Sequence, residues 1–425
     1  PPPPPPPTHT QPNSSAASDV YKRQVQILLA RRLWRPAGPP RDWESTSQVD
    51  LSEYAGRKVT LSLITEKAPA DNDSEAGLST GLGYWENPIV YQRGAPSRPN
   101  VILISLDTLR ADHLGCYGYD RDTSPFLDSL TQDSALFEST YAQSPWTLPS
   151  HLSLLFSLNS ASHQVYFNDQ KINAALPSLA SLLRAHGHLT CGLTAGGYVS
   201  RIYGFAKGFD RYDNPTKGHK QPQGRDEVER LYEAAASWLD DNRDRPFFLF
   251  LHTYQIHDPY VSPAPWNSMF LRQGDAKWKG LALHSLLQDE GQDRLFSSEE
   301  RENIVALYDG EIRYTDEKLL KPLVTHLKDL GIYDNTLLII TSDHGEEFAE
   351  HGGWLHGQTL YDEAIRVPLL IKFPHSQHSG RRLSTMVRLI DILPTVMETL
   401  GLPPQRGLDI EGLSLLPLFS GSGHA

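Results

Sequence analysis

The chain has 425 residues, enough for a large core and more than one structural unit. Its formal net charge of -12 excludes the basic face that a general nucleic-acid binder needs. Two cysteines, Cys116 and Cys191, allow at most one bridge and exclude a disulfide scaffold, and no apolar run approaches the roughly 20 residues of a membrane span.

Residues 1–24 open on a proline homopolymer and run on to Lys22-Arg23-Gln24 in the manner of translated adapter sequence. They are set apart as a disordered or artefactual segment. With the true start in question, no targeting signal is legible; the compartment stays open, and a periplasmic or extracellular setting is compatible. Residues 25–97 read as a partial β-sandwich, because Val59, Leu61 and Leu63 alternate with polar residues and Tyr84–Tyr91 forms a second strand-like run. Gly94-Ala95-Pro96-Ser97-Arg98-Pro99 is the linker to the next unit.

From residue 98 onward, strands alternate with helices. Val101–Leu106, His188–Thr194, Phe247–Leu251, Thr336–Thr341 and Val367–Phe373 read as strands. Helices are expected over Ser124–Asp133, Pro149–Leu158, Pro177–His186, Glu227–Leu239, Glu299–Leu330 (as one or two) and Ile390–Leu400. This alternation predicts an α/β fold with a mostly parallel sheet covered by helices on both faces. Residues 258–298, with their Pro and Trp and weak periodicity, are expected to form a loop on the substrate side.

In such sheets ligands sit beyond the carboxyl ends of the strands. Asp107 follows the first strand, His252 and His257 follow the third, and Asp343-His344 follow the fourth. An isolated Asp after a strand is usually a cap or turn residue; convergence of several on one rim argues for a site. Thr147 precedes Pro149, which can open a helix, so its hydroxyl is either an ordinary N-cap or a nucleophile activated by a metal or base. The glycine-rich loop Glu346–Gly357 adds His351 and His356, which can hold an anionic oxygen or protonate a leaving group. His163, His186 and His188 are read as structural or solvent-exposed. Arg366 is read as a structural partner for a carboxylate across the sheet, and both cysteines as small packing residues.

Together these segments resemble the sulfatase family of the alkaline-phosphatase superfamily, over about residues 98–421. The resemblance rests on Asn100–Asp107, Thr123-Ser124-Pro125, Thr147-Leu148-Pro149-Ser150-His151, His257-Asp258-Pro259-Tyr260, Ser342-Asp343-His344-Gly345, His351-Gly352, Arg366-Val367-Pro368-Leu369 and Asp391–Thr395. It implies an alkaline-phosphatase-like fold and a small C-terminal subdomain that this chain would lack, stopping soon after Leu415–Phe419. The residues before 97 resemble an accessory β-sandwich of some members. Departures from the family pattern are specific. Thr147 stands where the family has the cysteine that becomes formylglycine, and His151 stands at the arginine of the same motif. Thr108 follows Asp107 where a second aspartate is common, His344 stands where asparagine is common, and His356 replaces a lysine.

The resemblance therefore implies a metal-dependent hydrolase that cleaves a sulfate or phosphate ester through Thr147 as covalent nucleophile. Its metal set is Asp107, Thr147, Asp343 and His344; imidazole favours manganese or zinc over calcium. His257, His356 and His151 join Thr147 as catalytic residues, and His252 and His351 contact substrate. The expected partner is a sulfated or phosphorylated small molecule, glycan or lipid, with no nucleic acid. The rival readings are a phosphodiester or phosphonate hydrolase, a phosphoglycerol-type transferase, and a catalytically inactive binding protein.

Overall fold

The computed structural model describes residues 98–216, 227–272, 275–291, 294–402 and 410–420, with Leu51, Tyr54 and Gly56. The chain divides into two units, Pro1–Val90 and Tyr91–Ala425. Of the first, only a turn is described, in which the Tyr54 N–H donates to the Leu51 carbonyl at 2.9 Å. The expected β-sandwich and the 1–24 segment otherwise lie outside the described residues.

In the second unit the strands are β1 (Asn100–Leu106), β2 (Ala135–Tyr141), β3 (Leu189–Thr194), β4 (Arg211–Asp213), β5 (Phe247–Thr253), β6 (Thr336–Thr341), β7 (Glu347–Phe348), β8 (Trp354–Leu355), β9 (Arg366–Lys372), β10 (Arg382–Leu383) and β11 (Val387–Arg388). The main sheet runs in the order β10-β2-β9-β6-β1-β5-β3-β4, with β11 also on β2; β7 and β8 form a separate pair. All pairings within the main sheet are parallel except those of β9 with β2 and β6. The architecture is thus the alkaline-phosphatase-like α/β fold expected from the sequence.

The helices are α1 (Pro125–Leu130), α2 (Thr147–Phe156), α3 (Ser160–His163), α4 (Leu179–Ala185), α5 (Glu227–Asn242), α6 (Leu283–Glu290), α7 (Ser298–Thr315), α8 (Lys321–Asp329), α9 (Asp362–Ile365) and α10 (Ile392–Thr399). Alternate residues of the central strands feed two separate cores, as a sheet buried on both faces requires. Val101, Leu103, Phe248, Phe250, Leu337 and Ile339 pack with Leu148, Leu152 and Leu155 of α2. Ile102, Ile104, Leu249, Leu251, Leu338 and Ile340 pack with Ile304, Leu307 and Ile312 of α7. A capping box of Ser297 and Glu300 starts α7, which reaches α8 through a π-helical segment, Asp316–Leu320.

Some expectations change in detail. Strand β2 carries no clean apolar alternation, and its register slips between Phe137 and Thr140. Helix α2 begins at Thr147 rather than Pro149, because a proline within the first turn forfeits only an N–H that has no intrahelical partner. The 258–298 segment is not only loop: it holds α6 and short helical turns at Trp266–Ser268 and Ala276–Trp278. Arg366 donates through Nη2 to the Glu138 carbonyl at 2.9 Å, so backbone rather than a carboxylate is its partner across the sheet. Both cysteines are free. No helix among the described residues is long and apolar enough to cross a membrane.

Candidate active site

Parallel register builds the site. Ser105 of β1 pairs with His252 of β5 on one side and Thr341 of β6 on the other, so Asp107, His252 and Asp343 all arrive at one rim. The turn after β1 puts Thr108 at φ 61°, a costly conformation for a β-branched residue. The surroundings hold it: the Tyr308 hydroxyl donates to the Thr108 carbonyl and the Arg110 N–H donates to that hydroxyl, each at 2.8 Å. Ser342 ties this turn to the loop after β6, accepting from Leu109 N–H at 3.0 Å and donating to the His344 carbonyl at 2.7 Å. The Ser150 hydroxyl donates to the Asp343 carbonyl at 2.6 Å and docks the start of α2 on the same rim.

Thr147 does not cap its helix. Trp146 is the N-cap residue and makes no side-chain capping bond, while Thr147 is already the first helical residue. Its Oγ1 points into the site, 3.3 Å from Asp107 Oδ2 and 3.3 Å from His344 Nε2. His344 is oriented by its Nδ1, which lies 2.9 Å from the Gly345 carbonyl.

Asp107 and Asp343 are both fully buried; Oδ1 of Asp107 has no hydrogen-bond partner, and Oδ2 of Asp343 has His151 Nδ1 at 3.1 Å, a nitrogen that also faces the Thr147 carbonyl. Burial, then repulsion from Asp343, pushes Asp107 well above the usual carboxylate range. Burial pushes Asp343 up as well, but His344 and His151 outweigh it and hold that carboxyl well below its usual value. Burial is also what lowers His344, to about 4. Two crowded buried acids and an imidazole, their ligand atoms all within 4.8 Å of one another, fit a divalent cation. A second triad of Asp107, His151 and His252 meets the same spacing. There, however, His151 is already engaged: Nδ1 lies 2.9 Å from the Thr147 carbonyl and Nε2 lies 2.9 Å from the Ser105 hydroxyl.

The other expected residues divide. His257 and His356 join the cluster: their ring centroids are 4.9 Å apart, and His356 is 4.5 Å from His344. Burial first, and then the neighbouring His356, lowers His257 to about 4; burial lowers His356 to about 4 as well. His151 and His252 lie beneath the site with no exposed surface. His151 Nδ1 is 3.1 Å from Asp343 Oδ2, and His252 Nε2 is 3.4 Å from Asp107 Oδ2. Both therefore lie against the site carboxylates. His351 is half-exposed; its Nδ1 pairs with Glu363 at 2.5 Å and its ring stacks on Tyr361, neither of them a member of the cluster.

The sequence reading assigned no role to Glu346. Its side chain is fully buried, with Oε1 2.8 Å from His356 Nδ1, and burial pushes its carboxyl up to about 7. Its position three residues after Asp343, in the same loop, was the available signal.

The family model for sulfatases matches residues 99–402. This chain belongs to the sulfatase family. It is 26% identical to the multifunctional alkaline phosphatase superfamily protein PehA of Trinickia caryophylli, over 76% of this chain and 77% of that protein. It is 24% identical to arylsulfatase K of Xenopus laevis, over 71% of this chain but only 62% of that protein's length. Among solved structures, the phosphonate monoester hydrolase of Agrobacterium radiobacter superposes with a TM-score of 0.62 at 24% identity, covering 77% and 78% of the respective chains. As a sulfatase-family member the chain is a hydrolase of sulfate or phosphate esters, and the family uses a divalent metal.

Proposed function

We propose that Thr147 is the covalent nucleophile of this hydrolase. The observation that supports it is the Thr147 Oγ1 at 3.3 Å from both Asp107 Oδ2 and His344 Nε2, in a helix it does not cap. Asp107, Asp343, His344 and the Thr147 oxygen would hold a divalent ion, and the imidazole nitrogen favours manganese or zinc over calcium. When bound, the ion offsets the crowded carboxylate charge and lowers the pKa of the threonine hydroxyl. Thr147 gives its proton to solvent and its oxygen attacks sulfur or phosphorus in line. The ester bond breaks with its electron pair on the leaving oxygen, which takes a proton from His356 Nε2 after solvent has protonated the resting, neutral imidazole. Beside it, His257 holds a second substrate oxygen. The free N–H groups in the first turn of α2 face the charge on the other oxygens. Water then displaces the threonine oxygen, giving a proton through His356 back to solvent, and Thr147 recovers its own proton from solvent. Ester and water thus become alcohol and the free acid anion.

A second reading concerns the ester. A threonine nucleophile beside an imidazole-containing metal set favours phosphodiester or phosphonate substrates. Rapid-quench intact-protein mass spectrometry with slow aryl sulfate, phosphodiester and phosphonate substrates tests both. A sulfuryl or phosphoryl adduct mapped to Thr147 is expected, its identity reporting the preferred ester. Thr147→Ala should lose turnover by on the order of 10³-fold or more while remaining folded and metal-loaded. Near-normal turnover by that variant would overturn the assignment.

A further inference from the structure

His356 has little to fix it. It follows the two-residue strand β8, between Leu355 at φ 68° and Gly357 at φ 92°, so neither a helix nor a long strand sets its ring. The ring packs beside His257 and His344, and the hydrogen bond that orients it is to Glu346 Oε1, 2.8 Å from its Nδ1. Among the described residues, no hydrogen-bond partner is found for the other carboxylate oxygen of Glu346.

The backbone under that carboxylate is clamped. The Glu346 N–H donates to the Glu363 carbonyl at 2.9 Å, and the Arg110 Nη1 donates to the Glu346 carbonyl at 2.9 Å. Gly345 before it is packed so closely that a Cβ would lie 2.0 Å from the Glu363 carbonyl oxygen. The Arg110 guanidinium spends its remaining bonds on Asp112 and Glu350, not on the Glu346 side chain. A buried carboxylate with one of its oxygens unpartnered is costly, and such groups persist where they serve a site. Here a clamped arm reaches from the loop after β6 to the ring that packs beside His257 and His344.

We propose that Glu346 is a positioning residue for leaving-group departure: its buried carboxylate grips His356 through Nδ1 and so aims Nε2 at the leaving oxygen. This rests on the reading of His356 given above. Glu346 makes no hydrogen bond to Asp107, Thr147, Asp343 or His344, but it follows His344 by two residues and the His356 ring lies 4.5 Å from that of His344, so metal content must be followed in every variant.

The test is steady-state kinetics on the full-length, metal-loaded chain with aryl esters of graded leaving-group pKa. The proteins are wild type, His356→Ala, Glu346→Asp, Glu346→Gln and the double variant His356→Ala/Glu346→Asp, with metal content measured for each. Aspartate withdraws the carboxylate by one methylene, whereas glutamine keeps an acceptor at the same reach. Expected for Glu346→Asp is a steeper fall of kcat/KM with leaving-group pKa, matching His356→Ala and reaching about 10²-fold on the poorest leaving groups. The double variant should be no worse than His356→Ala, and Glu346→Gln should restore the wild-type slope. A wild-type slope for Glu346→Asp beside a steep His356→Ala overturns the positioning role alone. So does a uniform loss that adds to His356→Ala. A wild-type slope for His356→Ala overturns the reading of His356 itself, and the role of Glu346 with it.

Discussion

Among the buried carboxylates of this unit, two centres are built to opposite rules. Asp309, on α7, has no exposed surface and no unmet oxygen. Its Oδ1 is 2.7 Å from His113 Nδ1, while Oδ2 accepts from the Tyr119 hydroxyl and Arg121 Nη1, each at 2.7 Å. Asp107 and Asp343 are buried as deeply but face each other, and Oδ1 of Asp107 has no hydrogen-bond partner. Burial alone therefore does not mark a functional acid. The mark is burial without satisfaction, in a place where the register of the sheet forces two acids together. The first centre satisfies its acid with protein partners; the second brings two acids together in a group that could hold a cation.

The largest effect that would break this contrast is on metal. Asp343→Ala or His344→Ala should lower the metal content of purified protein and remove turnover together, whereas a change at Asp309 should leave metal content per folded molecule unchanged. Elemental analysis finding calcium bound tightly, and equally, in both site variants would sink the assignment.

Stability should divide the two centres next, with the opposite sign. Asp309→Asn leaves Arg121 and His113 short of a partner, and a loss of about 3–5 kcal/mol is expected from breaking such a buried pair. Asp107→Asn removes one of two repelling acids, so in chelator-treated protein it should be neutral or raise stability by about 1 kcal/mol. Thermal melts of metal-free variants decide this. A destabilised Asp107→Asn would mean that the crowded acids support the fold and are not merely tolerated by it.

How much of this was legible follows from how each residue is placed. Asp107, Asp343, His344 and Thr147 were legible because strand ends and helix starts leave local signals, and parallel register then brings them together without further information. Strand β2 was not, since Glu138 and Ser139 interrupt its pattern and its bulge shifts the pairing with β9. The pairing of Glu346 with His356 was not either. It spans an irregular loop whose path is set by tertiary contacts to Arg110 and Glu363, and no periodicity encodes it. His351 shows the same limit from the other side: its sequence neighbourhood is that of the site, yet its partners are Glu363 and Tyr361. His151 and His252 lie against Asp343 and Asp107, but their contacts to the carboxylates were not legible, because a residue's position on a strand or helix says which rim it reaches and not which partners its ring meets there.

The smallest effect expected is on pH dependence, and it places a third buried acid between the two extremes. Asp316, in the π-helical segment, accepts from the Phe126 and Leu127 N–H groups at 2.8 Å each, yet burial dominates and pushes its carboxyl up to about 7. A folded value above the unfolded one means that the native state binds the extra proton. The contribution of Asp316 is therefore complete at a pH below its ordinary value of 3.8 and is lost as pH rises through about 7. Buried His163 runs the other way: burial lowers it to about 4, so its contribution is lost as pH falls from 6.5 through that value. Comparing wild type with Asp316→Asn cancels His163, which is common to both. In metal-free protein, the stability of wild type relative to Asp316→Asn should fall by on the order of 1–3 kcal/mol between pH 4 and 8. A difference that stays constant across that window would show that the amides of Phe126 and Leu127 outweigh burial. Asp316 would then belong with Asp309, as an acid fully satisfied by its partners.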